Sequence, residues 1–252
     1  MLTRRAGAVL EAAIERPCIG VAELEALDAL LGQVEADPSV RAVVFHSTAP
    51  VGFGTGVDLA ALAVALGTRG VDDWIARAGA VFDRLESLPV LTVGALHGVT
   101  FGGALEWALC LDVLVAERGT RFALPELRLG LIPGFGGYGR LCRRSGESLA
   151  RELLLTGRSI GTRRALDRGL VASVVPEDEA LPAALAIAEG AAGIERAAMA
   201  AAKRLVQAGP SDVRVTERSV LADRLADPDT RDLILQTLER SDPWKHLPPS
   251  RT

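Results

Sequence analysis

The stretch from Leu96 to Leu141 constrains this chain more than any other, because it sets a strand end, a glycine pair, a helix start and two glutamates close together. Val90 to Leu96 is apolar, partly β-branched and of strand length. His97-Gly98 reads as a turn. Gly102-Gly103 follows, and then a helix-like segment with Glu106 in its first turn. Twenty residues on, Glu126 stands directly after Pro125 and ahead of a glycine-rich loop. A strand, a glycine break and a helix start leave free backbone N–H groups beside a carboxylate. Two glutamates facing one pocket can divide acid and base work between them.

The rest of the chain gives this stretch an α/β setting. Val21 to Asp37 carries Leu24, Leu27, Leu30, Leu31 and Val34 at helical spacing, and Asp37-Pro38 ends it. Val40 to His46 is a buried strand candidate. Residues 8–15 fit a strand or a helical turn equally well. Gly52 to Leu59 is a glycine-rich loop leading into a helix. Residues 71–87 form an amphipathic helix with Trp74, Ile75, Ala78, Val81, Phe82 and Leu85 on one side. Asp112–Ala116, Arg121–Leu124 and Leu170–Val175 are further strands, and Gly146–Leu155 and Ile160–Arg168 further helices. Strands alternating with helices predict an α/β fold. From Ala180 alanine dominates, with helices at about 180–191, 194–208, 211–226 and 228–240. The expected division is an α/β core over 1–185 and a helical region over 186–252, whose alanine faces suit close packing on the core or on a neighbouring subunit.

Composition bounds the function. At 252 residues the chain is one large domain or a domain with an appendage. Hydrophobic residues at 49% and charged residues at 24% fit a globular protein with a sizeable core. A net charge of −4 disfavours a nucleic-acid surface. Cys18, Cys110 and Cys142 lie far apart without metal spacing, so they read as reduced, packed thiols and no metal site is expected. No apolar run reaches the ~18 residues of a membrane span, and the acidic residues after the basic start argue against a signal peptide. A cytoplasmic protein without a membrane partner is the expectation.

Two familiar patterns are weak. Gly134 to Gly139 (GFGGYG) matches a dinucleotide fingerprint, but Pro133 precedes it in place of a strand, and no strand ending in an acidic residue follows at the required spacing. Gly157 to Gly161 (GRSIG) matches a nucleophile elbow around Ser159, yet His246 is the only later histidine, in a proline-rich tail. The glutamate pair has more support. A developing oxyanion needs two N–H donors, and Gly103 and Val57 each lie beyond a strand at a loop-to-helix transition. Spacing alone fits a plainer reading as well, with glycines as turns and glutamates as solvated residues.

Residues 53–59 (FGTGVDL), 98–106 (GVTFGGALE), 125–141 (PELRLGLIPGFGGYGRL) and 155–175 (LTGRSIGTRRALDRGLVASVV) together resemble the enoyl-CoA hydratase/isomerase, or crotonase, family. The likeness runs in order from about Arg41 to Pro176. It implies a spiral of β-β-α turns with a C-terminal all-helical oligomerisation region, assembled as a homotrimer or a dimer of trimers. It also implies that Val57 and Gly103 supply the oxyanion-hole N–H groups and that Glu106 and Glu126 are the catalytic pair. Gly56, Asp58, Leu59, Gly102, Pro133 and Gly134 would line the substrate. The implied activity is hydration of an enoyl-CoA, without metal or redox cofactor, coenzyme A entering only as part of the substrate. Isomerases, decarboxylases and hydrolases of the same superfamily are the nearest alternatives, and a non-catalytic acyl-CoA-binding protein is a further one. Three departures stand out. Arg16-Pro17 is followed by Cys18-Ile-Gly-Val where the family has an Asn-Ala-Leu stretch lining the CoA site, which leaves acyl-CoA and acyl-carrier-protein thioesters both open. Tyr138-Gly139 replaces a Thr-Gln-like pair, and the tail lacks a phenylalanine-rich helix.

Overall fold

The computed structural model describes residues 1–65, 70–208, 223, 227–230 and 232. The chain divides into two units, Met1–Ala192 and Gly193–Thr252. In the first unit the elements run β1 (Leu2–Ala6), β2 (Val9–Ile14), β3 (Cys18–Ile19), α1 (Val21–Ala36), β4 (Ala42–Ser47), β5 (Gly56–Val57), α2 (Leu59–Ala65) and α3 (Gly70–Glu86). Then come β6 (Leu91–Leu96), β7 (Val99–Phe101), α4 (Gly103–Leu109), β8 (Val113–Glu117), β9 (Arg121–Ala123), a 3₁₀ turn (Glu126–Leu129), α5 (Gly137–Ser145) and α6 (Glu147–Thr156). The unit ends with β10 (Ile160–Gly161), α7 (Thr162–Asp167), β11 (Ser173–Val175) and α8 (Ala180–Ala191).

A β-β-α order repeats along this list: β2-β3-α1, β4-β5-α2-α3, β6-β7-α4, and β8-β9 leading to α5. The first strand of each repeat joins one large sheet, ordered β1-β2-β4-β6-β8-β11, in which only the β1–β2 pair is antiparallel. The second strands are short and leave that sheet: β3 pairs with β5, and β9 with both β7 and β10. Successive repeats therefore stack as a spiral, and the short strands β3, β5, β7 and β10 each lead directly into a helix. The expected crotonase-like α/β spiral is the architecture observed.

The central strands β4, β6 and β8 are buried on both faces, which is why they read as nearly continuous apolar runs. On one face Phe45, Phe53 and Phe82 surround Trp107 of α4, with ring centroids 6.1–6.4 Å apart. On the other, Val44, Val93, Ala95 and Val115 meet Ala180, Ala184 and Ala188, one small residue per turn of α8. The alanine-rich composition begins here, so the compositional change near residue 185 falls inside α8, and the first unit runs on to Ala192.

Most sequence-predicted elements stand where expected. Residues 8–15 resolve as β2. Ile160–Arg168, expected as one helix, is β10 followed by α7, because Ile160 pairs with Phe122 before the helix starts. The edge strand β1, exposed along its five residues, carries no apolar signal and was not anticipated. In the second unit α9 (Arg196–Gln207) is capped by Glu195, whose carboxylate accepts from the Ala197 and Ala198 N–H groups at 2.8 Å each. The helices expected at 211–226 and 228–240 lie largely outside the described residues, as do Trp244, Lys245 and His246.

Candidate active site

Glu106 is placed by the Gly102-Gly103 pair. Gly102 has φ 55, a left-handed conformation that favours glycine, and its N–H donates to the Ala123 carbonyl at 2.9 Å. This ties the start of α4 to the end of β9. All seven residues of α4 are buried, and Glu106 is only 2% exposed. A buried carboxylate must find partners. Its Oε1 accepts from the backbone N–H of Phe135 at 2.8 Å and of Gly137 at 2.9 Å. A Cβ at position 137 would stand 2.5 Å from Glu106 Cγ, so only glycine lets the loop close this tightly. Burial raises the Glu106 pKa above the ordinary carboxylate value, and the N–H donors of Gly137 and Phe135 pull against that rise.

Glu126 is held differently. It opens the 3₁₀ turn after Pro125, and both carboxylate oxygens are shielded from solvent yet have no hydrogen-bond partner. Burial pushes its pKa from 4.5 up to about 7; the residue's own backbone N–H opposes the rise and the nearby Glu106 charge adds to it. The two carboxyls thus sit in unlike environments, one gripped by N–H donors and one unpartnered. Such a difference separates a base from an acid.

Beside them lie two backbone donors. Gly103 is the first residue of α4, so its N–H has no acceptor within the helix. Val57 is on β5. A Cβ at Gly103 would stand 3.5 Å from Val57 N, and one at Gly56 would stand 3.1 Å from Gly103 N. The two N–H groups are therefore neighbours, brought together because residue 56, at φ 103, is glycine. A Cβ at Gly102 would stand 3.4 Å from Glu126 Oε1, which sets the second carboxylate against the same corner.

These groups line one cavity of about 230 Å³. Of the residues singled out from sequence, Gly56, Val57, Leu59, Gly102, Gly103, Glu106, Glu126 and Gly134 line it, and Asp58 and Pro133 do not. Asp58 is a helix cap: its Oδ1 accepts from Ala60 and Ala61 N–H at 3.1 Å each, and its Oδ2 pairs with Arg16 at 3.2 Å. Sequence reasoning missed the apolar wall formed by Leu62, Trp74, Ile75, Leu131, Ile132 and Phe135. Trp74 and Ile75 had a signal, helical periodicity, but it pointed to the core and not to a cavity.

The two weak motifs resolve as structural. Gly136 caps α5 at φ 86, and the N–H groups of its loop hold Glu106. Gly157 ends α6 at φ 58, so no strand leads into Ser159, whose hydroxyl accepts from Arg121 at 2.5 Å. All three cysteines are free thiols, with Cys110 buried. Among the described residues no cluster of three or more His, Cys, Asp or Glu is placed to hold a metal, and no helix is long and apolar enough to cross a membrane.

Comparison with known proteins matches residues 6–240 to the enoyl-CoA hydratase/isomerase family. A probable enoyl-CoA hydratase of Bacillus subtilis is 37% identical over 157 residues, 62% of this chain; the chain spans 60% of that protein's length. Among solved structures, Pseudomonas aeruginosa DspI superposes with a TM-score of 0.86 at 30% identity, over 94% of this chain and 93% of that one. An enoyl-CoA hydratase from Bacillus anthracis superposes at 0.85 and 27% identity, over 94% of this chain and 95% of the other. With the β-β-α spiral and the paired N–H groups already in place, the match is to the whole architecture, and the chain belongs to the enoyl-CoA hydratase/isomerase family.

Proposed function

We propose that this protein is an enoyl-CoA hydratase, adding water across the 2,3-double bond of an enoyl thioester. The observation that carries the reading is the pair of unlike carboxyls, Glu106 gripped by N–H groups and Glu126 unpartnered with a pKa near 7, in one cavity beside two converging backbone donors. The thioester carbonyl oxygen sits between the N–H groups of Val57 and Gly103. Water lies between the carboxyls. Glu106 takes a proton from the water as its oxygen bonds to C3. The electrons of the double bond move to the carbonyl oxygen, giving an enolate held by the two N–H groups, and Glu126 in its protonated form delivers a proton to C2. Each oxyanion donor contributes on the order of 3–4 kcal/mol to such a step. The reaction is redox-neutral, so coenzyme A is needed only as part of the substrate.

The apolar wall suits a hydrocarbon acyl chain. Both CoA and carrier-protein thioesters fit the pattern of residues. The alanine-rich second unit supports assembly as a homotrimer or a dimer of trimers. Following the enoyl-thioester absorbance of crotonyl-CoA and of longer enoyl-CoAs tests the reading. Loss of the band with formation of the 3-hydroxyacyl product is expected. Migration of the double bond without water uptake would replace hydration with isomerisation, a reaction that Glu126 alone can serve.

A further inference from the structure

We infer that Arg140 is a positioning residue for Glu106, acting through the Phe135–Gly137 loop. The inference rests on the proposed role of Glu106 as the base. Arg140 lies on α5, 5% exposed, and its guanidinium spends its donors in three directions. Nη1 donates to the Phe135 carbonyl at 2.5 Å, Nη2 to Asp83 at 2.6 Å and Nε to Glu86 at 2.9 Å. Phe135 is also the residue whose N–H donates to Glu106 Oε1. Arg140 therefore fixes by its carbonyl the residue that fixes the base by its N–H, and it anchors both to α3. The two adjacent glycines are explained together. A Cβ at Gly136 would stand 2.4 Å from Arg140 Nη1, and a Cβ at Gly137 2.5 Å from Glu106 Cγ. One glycine admits the guanidinium and the other admits the carboxylate.

The plain alternative is that Arg140 only ties α5 to α3. A buried ion pair is weak evidence for stability in itself. The partners here would also survive its loss: Asp83 is 76% exposed and can return to water, and Glu86 keeps Arg143 at 2.5 Å. Arg140→Gln should therefore fold, which makes the two readings separable. Among the described residues, the charged or titratable groups that face Glu106 are Arg140 from α5, Glu126 from the 3₁₀ turn and the Cys110 thiol at the C-cap of α4. Of these three, Arg140 is the one whose charge favours the ionised form. Removing it takes away an opposite charge and loosens two N–H donors, and both changes raise the pH at which Glu106 ionises.

The test is the pH profile of kcat for enoyl-CoA hydration by wild type, Arg140→Gln and Arg140→Lys. Arg140→Gln should lower kcat roughly 10–100-fold, the scale of a small misplacement of a reacting group. KM should change little, because the donors on β5 and α4 are untouched. The acidic limb of kcat should move up by about 1 pH unit. Arg140→Lys keeps the charge but not the planar fork, so the limb should stay near its wild-type position while kcat remains lowered. Loss of stability in Arg140→Gln with kcat and limb unchanged would overturn the inference, as would wild-type kcat in Arg140→Lys should Arg140→Gln not fold. If wild type hydrates no enoyl thioester, the functional reading fails on its own. The positioning claim is then read by ¹³C titration of the Glu106 carboxyl, where a higher midpoint in Arg140→Gln is expected and equal midpoints would sink it.

Discussion

Replacing Glu126 by glutamine should stabilise the protein at alkaline pH while removing its turnover. The reason lies in the unpartnered carboxyl. In the unfolded chain Glu126 ionises near 4.5, and in the folded chain near 7. Between those values the folded state binds more protons than the unfolded state, so stability falls as pH rises through that window and stays reduced above it. A displacement of this size corresponds to about 3.4 kcal/mol at full weight. Glu126 is only half-buried as a residue, and solvent screening reduces the penalty to roughly 1–2 kcal/mol. Glutamine has nearly the same shape and does not ionise. Urea unfolding of wild type and Glu126→Gln at pH 4.5 and pH 8 tests this. The variant should gain roughly 1–2 kcal/mol on wild type between the two pH values. Two-state fits that give the same difference at both pH values would refute the raised ionisation and with it the assignment of Glu126 as the acid.

Further outcomes follow from the same geometry. Gly137→Ala places a methyl against Glu106 Cγ and should cost about 1–3 kcal/mol of stability by urea unfolding, as overpacking does; an unchanged midpoint would mean the loop yields freely. Ser159→Ala should leave thioester turnover nearly intact in a steady-state assay, since its hydroxyl only accepts from Arg121; loss of turnover in a folded variant would point to acyl transfer through Ser159. Sedimentation at micromolar concentration should give a trimer or a dimer of trimers, and a monomer would count against the assembly.

Much of the fold was legible in the sequence because its central strands are buried on both faces and its helices have one buried side. The pattern of Leu24, Leu27, Leu30, Leu31 and Val34 predicted α1, and all five residues are buried. What escaped notice follows rules that sequence periodicity does not carry. β1 is an exposed edge strand fixed only by its pairing with β2. β10 is two residues long and exists because Ile160 meets Phe122. At the site, the Gly-Gly pair before Glu106 and the Pro-Glu at 126 were visible as motifs, and both glutamates line the cavity. Gly136 and Gly137 were visible too, but as part of a glycine-rich loop. That they make room for a guanidinium and a carboxylate is a property of contacts between α3, α4 and α5, which lie far apart in the chain. Asp58, for which the family resemblance implied a place at the substrate, uses its side chain to cap α2.

The central claim is that Glu106 is the base of a two-carboxylate hydration, and Glu106→Gln tests it most directly. Steady-state hydration of crotonyl-CoA should lose roughly 10²–10⁴ in kcat, the usual worth of a positioned acid or base. Enoyl-thioester binding should survive, because the oxyanion donors are the N–H groups of Val57 and Gly103. Adding Glu126→Gln should make matters little worse than the poorer single variant, as expected of groups that act on one water. A Glu106→Gln protein that kept most of its hydration rate would contradict the account and leave Glu126 as the sole acid–base group.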